Sequence, residues 1–532
     1  MKPTLTAIAM VLLMASIAHC VPPAPGLSSE GMPKDSVHKN TDVSALIARG
    51  APAWQVAKAI APTGTRKVAV IFVYFTDVSL STTDVTTYTD ATNGYIKKMK
   101  DYYTECSYGA LTLNLTLLTN AGVGYQVPHT MSYYGSNKEA NVANGYLFED
   151  ACTAAGITKA SNGGYDALLV VHAGTGEEST KVSSDIWSLF TDFPGNSSGF
   201  TEGETVPAKE SSYLKPFGVL CHEFGHQLGL PDLYNTVSGA VNVGTWDIMD
   251  YGAWANNGDN PTHPSTWSKM QLGWITPVTV NSSSNVTINS FESGVANAYR
   301  LPVLGSSTEY FLLEFRKQAG MDSNLPGFGT LVWHIDDKIG TIALNDINTN
   351  SSHLRVALEE ADKNGDLSSN QGDTGDPFKE TSIFTAPQSD GYSLASIITV
   401  ADFAGSASSA MTMRLSLIPA TANLSIKKVF NFPNPVRNAA ATTLRAVFRR
   451  PFTTASLKVF TISGEPVLNV PLTGSNLQSA LSETNGEWTY DYIWNLTNDG
   501  GAKVGSGMYL YVIAAEISGD RQVKSGKLAI LR

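Results

Sequence analysis

Residues 214–234 read LKPFGVLCHEFGHQLGLPDLY, and this stretch dominates the chain. Pro216 suits the start of a helix, where its missing N–H costs nothing. Phe217, Cys221, Phe224 and Leu228 fall three or four apart and make an apolar stripe. His222 and His226 are four apart, so they share the other face on consecutive turns. Two imidazoles so placed can both reach one zinc ion at about 2 Å. Glu223 stands beside them. Its carboxylate can take a proton from a metal-bound water and pass it to a leaving amine. Gly229 can adopt a left-handed conformation that stops the helix and turns the chain sharply. That turn can return Asp232 to the metal as a third ligand, leaving the fourth position for water. Zinc lowers the pKa of that water to about 7. A bare HExxH pair occurs by chance on many helix surfaces. Gly229 and Asp232 add constraints that chance does not supply.

Downstream, residues 245–252 read TWDIMDYG. Met249 in a tight turn can form an apolar floor beneath the metal, although methionine also serves as ordinary core filling. Tyr251 can bring its hydroxyl to the oxyanion of a transition state, or simply pack as an aromatic beside Gly252.

Working outward, RKVAVIFVYFTDVS from Arg66 is apolar and β-branched, as a buried strand is. Residues 88–106 suit one helix, 107–119 alternate like a strand, and YDALLVVHAG from Tyr165 is another strand ending in glycine. The last of these can bind an extended peptide by strand addition, or be a plain core strand with His172 satisfied inside it. Alternating helix and strand patterns make the first large domain α/β or α+β. Beyond about residue 275, short strands and turns predominate: a β-rich extension to residue 418, a linker over 417–423, and a segment over 424–532 whose strand rhythm suits a β-sandwich.

A chain of 532 residues is too long for one domain, and 42% hydrophobic residues can bury a sizeable core. Charged residues are 16%, against a usual figure of about a quarter. Thirty-six basic residues against 47 acidic ones give −11 and no basic block, which argues against nucleic-acid binding. Lys2 followed by the apolar run Leu5 to Ala18 reads as an export signal over residues 1–20, too short for a bilayer anchor. Cleavage near Cys20 would leave Cys106, Cys152 and Cys221, so at most one disulfide. Residues 21–65, with a helical patch over 43–59, read as a pro-segment or linker.

HEFGHQLGLPDLY with DIMDYG resembles the immune inhibitor A family of secreted, metzincin-like zinc peptidases. VAVIFVYFTD (68–77), YYTECSYGALTL (102–113), LLVVHAGTGEE (168–178), DIWS (185–188) and residues 309–336 extend the resemblance in order. It implies a zincin-like catalytic domain over 66–290, followed by the extension over 291–418. It also implies an extracellular, zinc-dependent endopeptidase made as a zymogen, with His222, His226 and Asp232 as ligands and Glu223 as general base. Metzincins more often place a histidine where Asp232 stands. FNFPNPVRN (430–438), LKVFTISGEPV (457–467) and GKLAILR (526–532) resemble the immunoglobulin-like sorting domains of type nine (Por) secretion cargo. That likeness implies a secretion or attachment module over 424–532.

Asp362, Asn364 and Asp366 alternate around Gly365, as calcium ligands do, with Asp373 and Asp376 beyond. A solvated polar turn fits the same residues. The expectation is a secreted or surface-attached zinc endopeptidase acting on protein substrates, with no transmembrane anchor. The competing expectation is a non-catalytic adhesin built on a degenerate peptidase scaffold.

Overall fold

In a computed structural model, the described residues are 18–30, 32, 60–136, 145–193, 197–295, 297–303, 305–392, 398–417, 426–448, 454–473, 481–484, 487–517 and 520–531. The apolar run up to residue 17, the helical patch over 43–59 and the linker over 418–423 lie outside them.

The sheet that carries the site is mixed. Its strands are β1 (Ala18–Cys20), β2 (Gly64–Tyr74), β3 (Leu111–Leu118), β4 (Ala167–Thr175), β5 (Leu189–Asp192) and β6 (Glu202–Lys209). Their order is β1-β5-β6-β4-β2-β3, with the short strand Tyr125–Gln126 also on β2. β2, β3, β4 and β6 run parallel, and β5 runs against β6. Val68 to Val73 and Ala167 to Val171 are fully buried, as strands covered on both faces must be. Helix α1 (Thr82–Thr89) opens with Ser81 and Asp84 capping each other's backbone, and α2 (Tyr95–Cys106) follows. The single helix expected over 88–106 is therefore two. Asp90 accepts from the N–H groups of Thr92 and Asn93, which draws the chain into a turn. Helices α3 (Tyr146–Ala155) and α4 (Phe217–Gln227) complete this layer. The stripe on α4 is only part of its buried surface, for all eleven of its residues are buried.

The extension packs on the same core. Strands β7 (Val278–Thr279), β8 (Ser284–Asn289), β9 (Tyr299–Pro302), β10 (Glu309–Arg316), β11 (Gly329–Asp336), β12 (Val356–Glu359), β13 (Thr399–Ala404) and β14 (Ala410–Ser416) form two sheets, β12-β11-β10-β9-β7 and β13-β14-β8. β7 and β8 thus pair with the extension, although they precede residue 291. Along β10 the side chains divide by parity. Tyr310 and Leu312 join the core of the catalytic sheet, while Phe311, Leu313 and Phe315 join a second core with Phe378, Phe384 and Met411. Residues 426–531 form a four-stranded and a five-stranded sheet around one core that includes Leu444, Tyr490, Trp494, Tyr511 and Leu528. The protein is multidomain, mixed α/β and rich in sheet. Cys106 and Cys152 are separate buried thiols.

Arg316 at the end of β10 ties the extension to the site. Fully buried, it donates to Asp322 at 2.5 and 2.6 Å, to Glu314 at 3.0 Å and to the Trp246 carbonyl at 3.0 Å. Burial would raise the Asp322 carboxyl, but the guanidinium outweighs it and holds that group below the usual carboxylate range. Arg316→Met leaves two buried carboxylates without their cation, and should cost about 3–5 kcal/mol. Chemical denaturation of the two proteins at neutral pH measures it. The Asp322 part of the difference is present above the ordinary carboxylate pKa and fades as the pH falls through the depressed one.

Candidate active site

Helix α4 carries His222 and His226 with their rings 4.9 Å apart. Each ring has its Nδ1 on a backbone carbonyl, His222 on Ile248 at 2.8 Å and His226 on Leu230 at 2.7 Å. A carbonyl can only accept, so both Nδ1 atoms donate, and each neutral ring keeps a lone pair at Nε2. Gly229 ends the helix at φ +99°, and Leu230 N–H returns to the Gly225 carbonyl at 3.0 Å. The bend delivers Asp232. Its Oδ1 lies 3.1 Å from His222 Nε2 and 3.2 Å from His226 Nε2.

These separations test the fit to a metal. Ligands about 2.05 Å from a tetrahedral zinc lie about 3.3 Å from each other. Three acceptor atoms facing one another in a fully buried place need a cation between them. The residues expected as ligands are brought together, and they suit zinc in number and type. Burial alone would raise the Asp232 carboxyl; the two imidazoles, when protonated at Nε2, outweigh it and hold it below the usual range.

Glu223 is fully buried beside the cluster, and burial, with the nearby Asp232 charge, pushes its pKa well up. Its Oε2 has no hydrogen-bond partner among the described residues. Its Oε1 accepts from the backbone N–H of Val21 at 2.8 Å. Met249 is fully buried under the helix, and a Cβ on Gly225 would stand 2.7 Å from its sulfur, so any larger residue there would have to displace the methionine side chain. Tyr251 is buried at the start of the turn over Tyr251–Gly258. Burial and Asp250 raise its pKa.

Two residues escaped the sequence reading. Asn345 accepts from Asp232 N–H at 2.7 Å and donates to Asp232 Oδ2 at 2.6 Å. It fixes the Asp232 carboxylate from 113 positions away, and nothing local to either residue announces it. Tyr234, two residues past Asp232, donates its hydroxyl to the carbonyl of Cys20. His172 is buried in the core, as in the plainer reading, but only half satisfied: its Nδ1 lies on the Ala173 carbonyl at 2.9 Å, its Nε2 has no hydrogen-bond partner among the described residues, and burial lowers its pKa to about 4.

The acidic loop assembles differently from its spacing. Glu360, Asp362 and Asp376 bring their oxygens within 4.8 Å of one another. Asp366 is not in that group and accepts from Asn370 at 2.6 Å, while Asn364 donates to Asp362 at 3.0 Å. The chain folds back on itself through a turn near Gly375, and that turn, not the alternation, chooses the cluster.

Residues 149–276 match the family model described as immune inhibitor A peptidase M6, catalytic domain. The matched segment includes His222, Glu223, His226 and Asp232. The pre-pro-metalloprotease PrtV of Vibrio cholerae serotype O1 is 34% identical over 131 residues, covering 21% of this chain and 14% of that one. Immune inhibitor A of Bacillus thuringiensis subsp. alesti is 29% identical over 223 residues, covering 33% of this chain and 31% of that one. The chain therefore spans less than a third of either relative. Among solved structures, wild-type OgpA from Akkermansia muciniphila overlaps 87% of this chain at 8% identity and a TM-score of 0.24. A score that low fixes neither fold nor function.

Asn345→Ala removes both bonds to Asp232 while touching neither histidine. It should weaken zinc binding about 10–100-fold, measured by titration against a chromophoric chelator, with the circular dichroism spectrum unchanged.

Proposed function

We propose that the chain is a secreted, zinc-dependent endopeptidase that hydrolyses peptide bonds in proteins. One observation carries this reading: three lone-pair atoms converge on a single buried point, with the Glu223 carboxylate beside it. The match of residues 149–276 to a peptidase family model and the metalloprotease relative support it. In this reading His222, His226 and Asp232 hold the metal. When bound, zinc supplies Lewis acidity and a water acidic enough to lose a proton at neutral pH. Glu223 then has two tasks. Its raised pKa suits it to take a proton from water and pass it to the leaving amine. Export follows from the leader-like residues 1–20. No helix of the described residues is long and apolar enough to cross a membrane. Among the described residues of 424–532 no comparable cluster occurs, and the segment is read as a sorting or attachment module, engaging the secretion machinery.

Glu223→Ala should keep zinc at one equivalent and lose casein cleavage by at least about a thousandfold. Zinc analysis beside a casein assay, with and without chelator, checks both. Undiminished cleavage by that variant would refute the mechanism.

Calcium is proposed as a second ion, at Glu360, Asp362 and Asp376 and not at the alternating set. Asp376 is fully buried, its Oδ1 has no hydrogen-bond partner among the described residues, and burial raises its pKa to about 6. A divalent cation would reverse that penalty. Millimolar calcium should raise the melting temperature by several degrees, about 1 kcal/mol or more. Asp376→Asn should abolish the calcium-dependent part of that rise in a thermal scan.

A further inference from the structure

We propose that the cleft selects protein substrates carrying two successive prolines, at the second and third residues after the cleaved bond, an inference that rests on the peptidase reading above. Residues 21–24, Val-Pro-Pro-Ala, lie buried in the cleft and show what it can hold. Val21 N–H donates to Glu223 Oε1 at 2.8 Å, so residue 21 marks the first seat beyond the carboxyl group that serves a leaving nitrogen. The Val21 carbonyl accepts from Trp187 Nε1 at 3.0 Å, and the Pro22 carbonyl from Trp254 Nε1 at 3.0 Å. Both indoles are buried, and Lys181 Nζ stands 4.1 Å from the Trp187 ring centroid, a contact that steadies the ring. A Cβ on Gly239 would stand 3.7 Å from Pro23 Cδ, which places the Pro23 ring beside that turn. Ala24 N–H donates to the Glu178 carbonyl at 3.0 Å and closes the run.

The grip changes character at residue 21. Ala18–Cys20 pairs with β5 as an added strand, as far as Leu189. The N–H of Ser188, next along the edge, turns away to Glu178 Oε2 at 3.1 Å, and the ladder stops. In an added strand successive residues face opposite ways, so one of two neighbouring carbonyls points away from the edge. Here both are held, by donors on two separate elements: the segment leading into β5 and the turn Tyr251–Gly258. Carbonyls a third of a turn apart, as in a polyproline helix, are met in this way. The residues enforce that shape, since each proline fixes its own φ at about −65° and keeps the residue before it extended. An indole N–H can serve a carbonyl but offers nothing to another N–H. Proline brings a carbonyl and no N–H to these seats, whereas alanine would bury an N–H facing donors. A proline pair also enters already shaped and loses little conformational freedom on binding. Trp187 and Trp254 are therefore the specificity-determining residues.

The experiment gives the secreted, zinc-loaded protein a proteome-derived peptide library beside casein, and reads every cut site by mass spectrometry. Proline should be enriched about tenfold or more over its abundance in the library at the second and third positions after the cut. Trp254→Phe keeps a ring and loses the N–H, and should bring that enrichment close to background; Trp187→Phe should lower it as well. Because the readout is a ratio among cuts, a partly unfolded fraction of either variant does not change it. Wild type that cleaves casein and the library with proline at background in both positions would overturn the inference and spare the peptidase reading. So would full enrichment retained by both tryptophan variants. Zinc-loaded wild type that cuts neither casein nor the library would sink both readings.

Discussion

Three acceptor atoms cannot share a dry pocket unless something positive lies between them. His222, His226 and Asp232 are placed so by groups that leave them no alternative. Two backbone carbonyls fix the Nδ1 protons, and Asn345 holds the carboxylate from behind. Most of the surrounding architecture follows from that requirement. Helix α4 must be buried on every side to keep water from satisfying the cluster, so it is clamped between the sheet, the Met249 turn and the segment that enters at Cys20. The cost of an uncompensated cluster in this position is several kcal/mol, a size comparable to the whole stability of a domain. A metal held at this point would couple its binding to the folding of this region.

The supports differ in reach, and so did their visibility in the sequence. The histidine pair, the base and the bend at Gly229 lie within eleven residues, and helix geometry alone relates them. The floor at Met249 belongs to the same class, because a turn rich in aspartate close downstream is a local signal. The split between α1 and α2 was local too, but the periodicity of 88–106 hid it. An aspartate turn can interrupt a helical pattern without disturbing its apolar spacing. Asn345 and the contact of Tyr234 with Cys20 were beyond reach, since they join residues 113 and 214 positions apart. No spacing rule connects such positions. The acidic loop shows the same limit. Alternation pointed to Asp362 but not to Glu360, because where the chain turns back decides which carboxylates meet.

β10 and β11 illustrate a different ambiguity. Residues 309–316 are buried without exception, so the sequence shows an apolar run and no clear alternation. The alternation exists, but it distributes side chains between two cores and not between core and water. A strand covered on both faces reads as one undivided hydrophobic block. That is why the extension could be recognised as β-rich while its partnership with the catalytic sheet could not. Arg316 at the end of this strand reaches back to the carbonyl of Trp246, three residues before Met249. The extension therefore buttresses the loop under His222, His226 and Asp232 and is not a passenger.

The edge of the catalytic sheet joins structure to chemistry. β5 runs antiparallel to its neighbour and would end the sheet with unpaired N–H and C=O groups. Most proteins blunt such an edge with charge, a bulge or a covering loop. Here the neighbouring Phe190 ring lies 6.3 Å from His226, so an open edge at β5 is also the wall of the cleft. A peptidase needs that edge available, because main-chain pairing is how an extended substrate of any sequence is held in register. Before any substrate arrives, the same groups must be satisfied by something. The chain's own residues 18–20 do it at no cost in a second molecule's entropy. An edge that must be open to work and closed to be stable is most simply managed by a segment that the site itself can recognise.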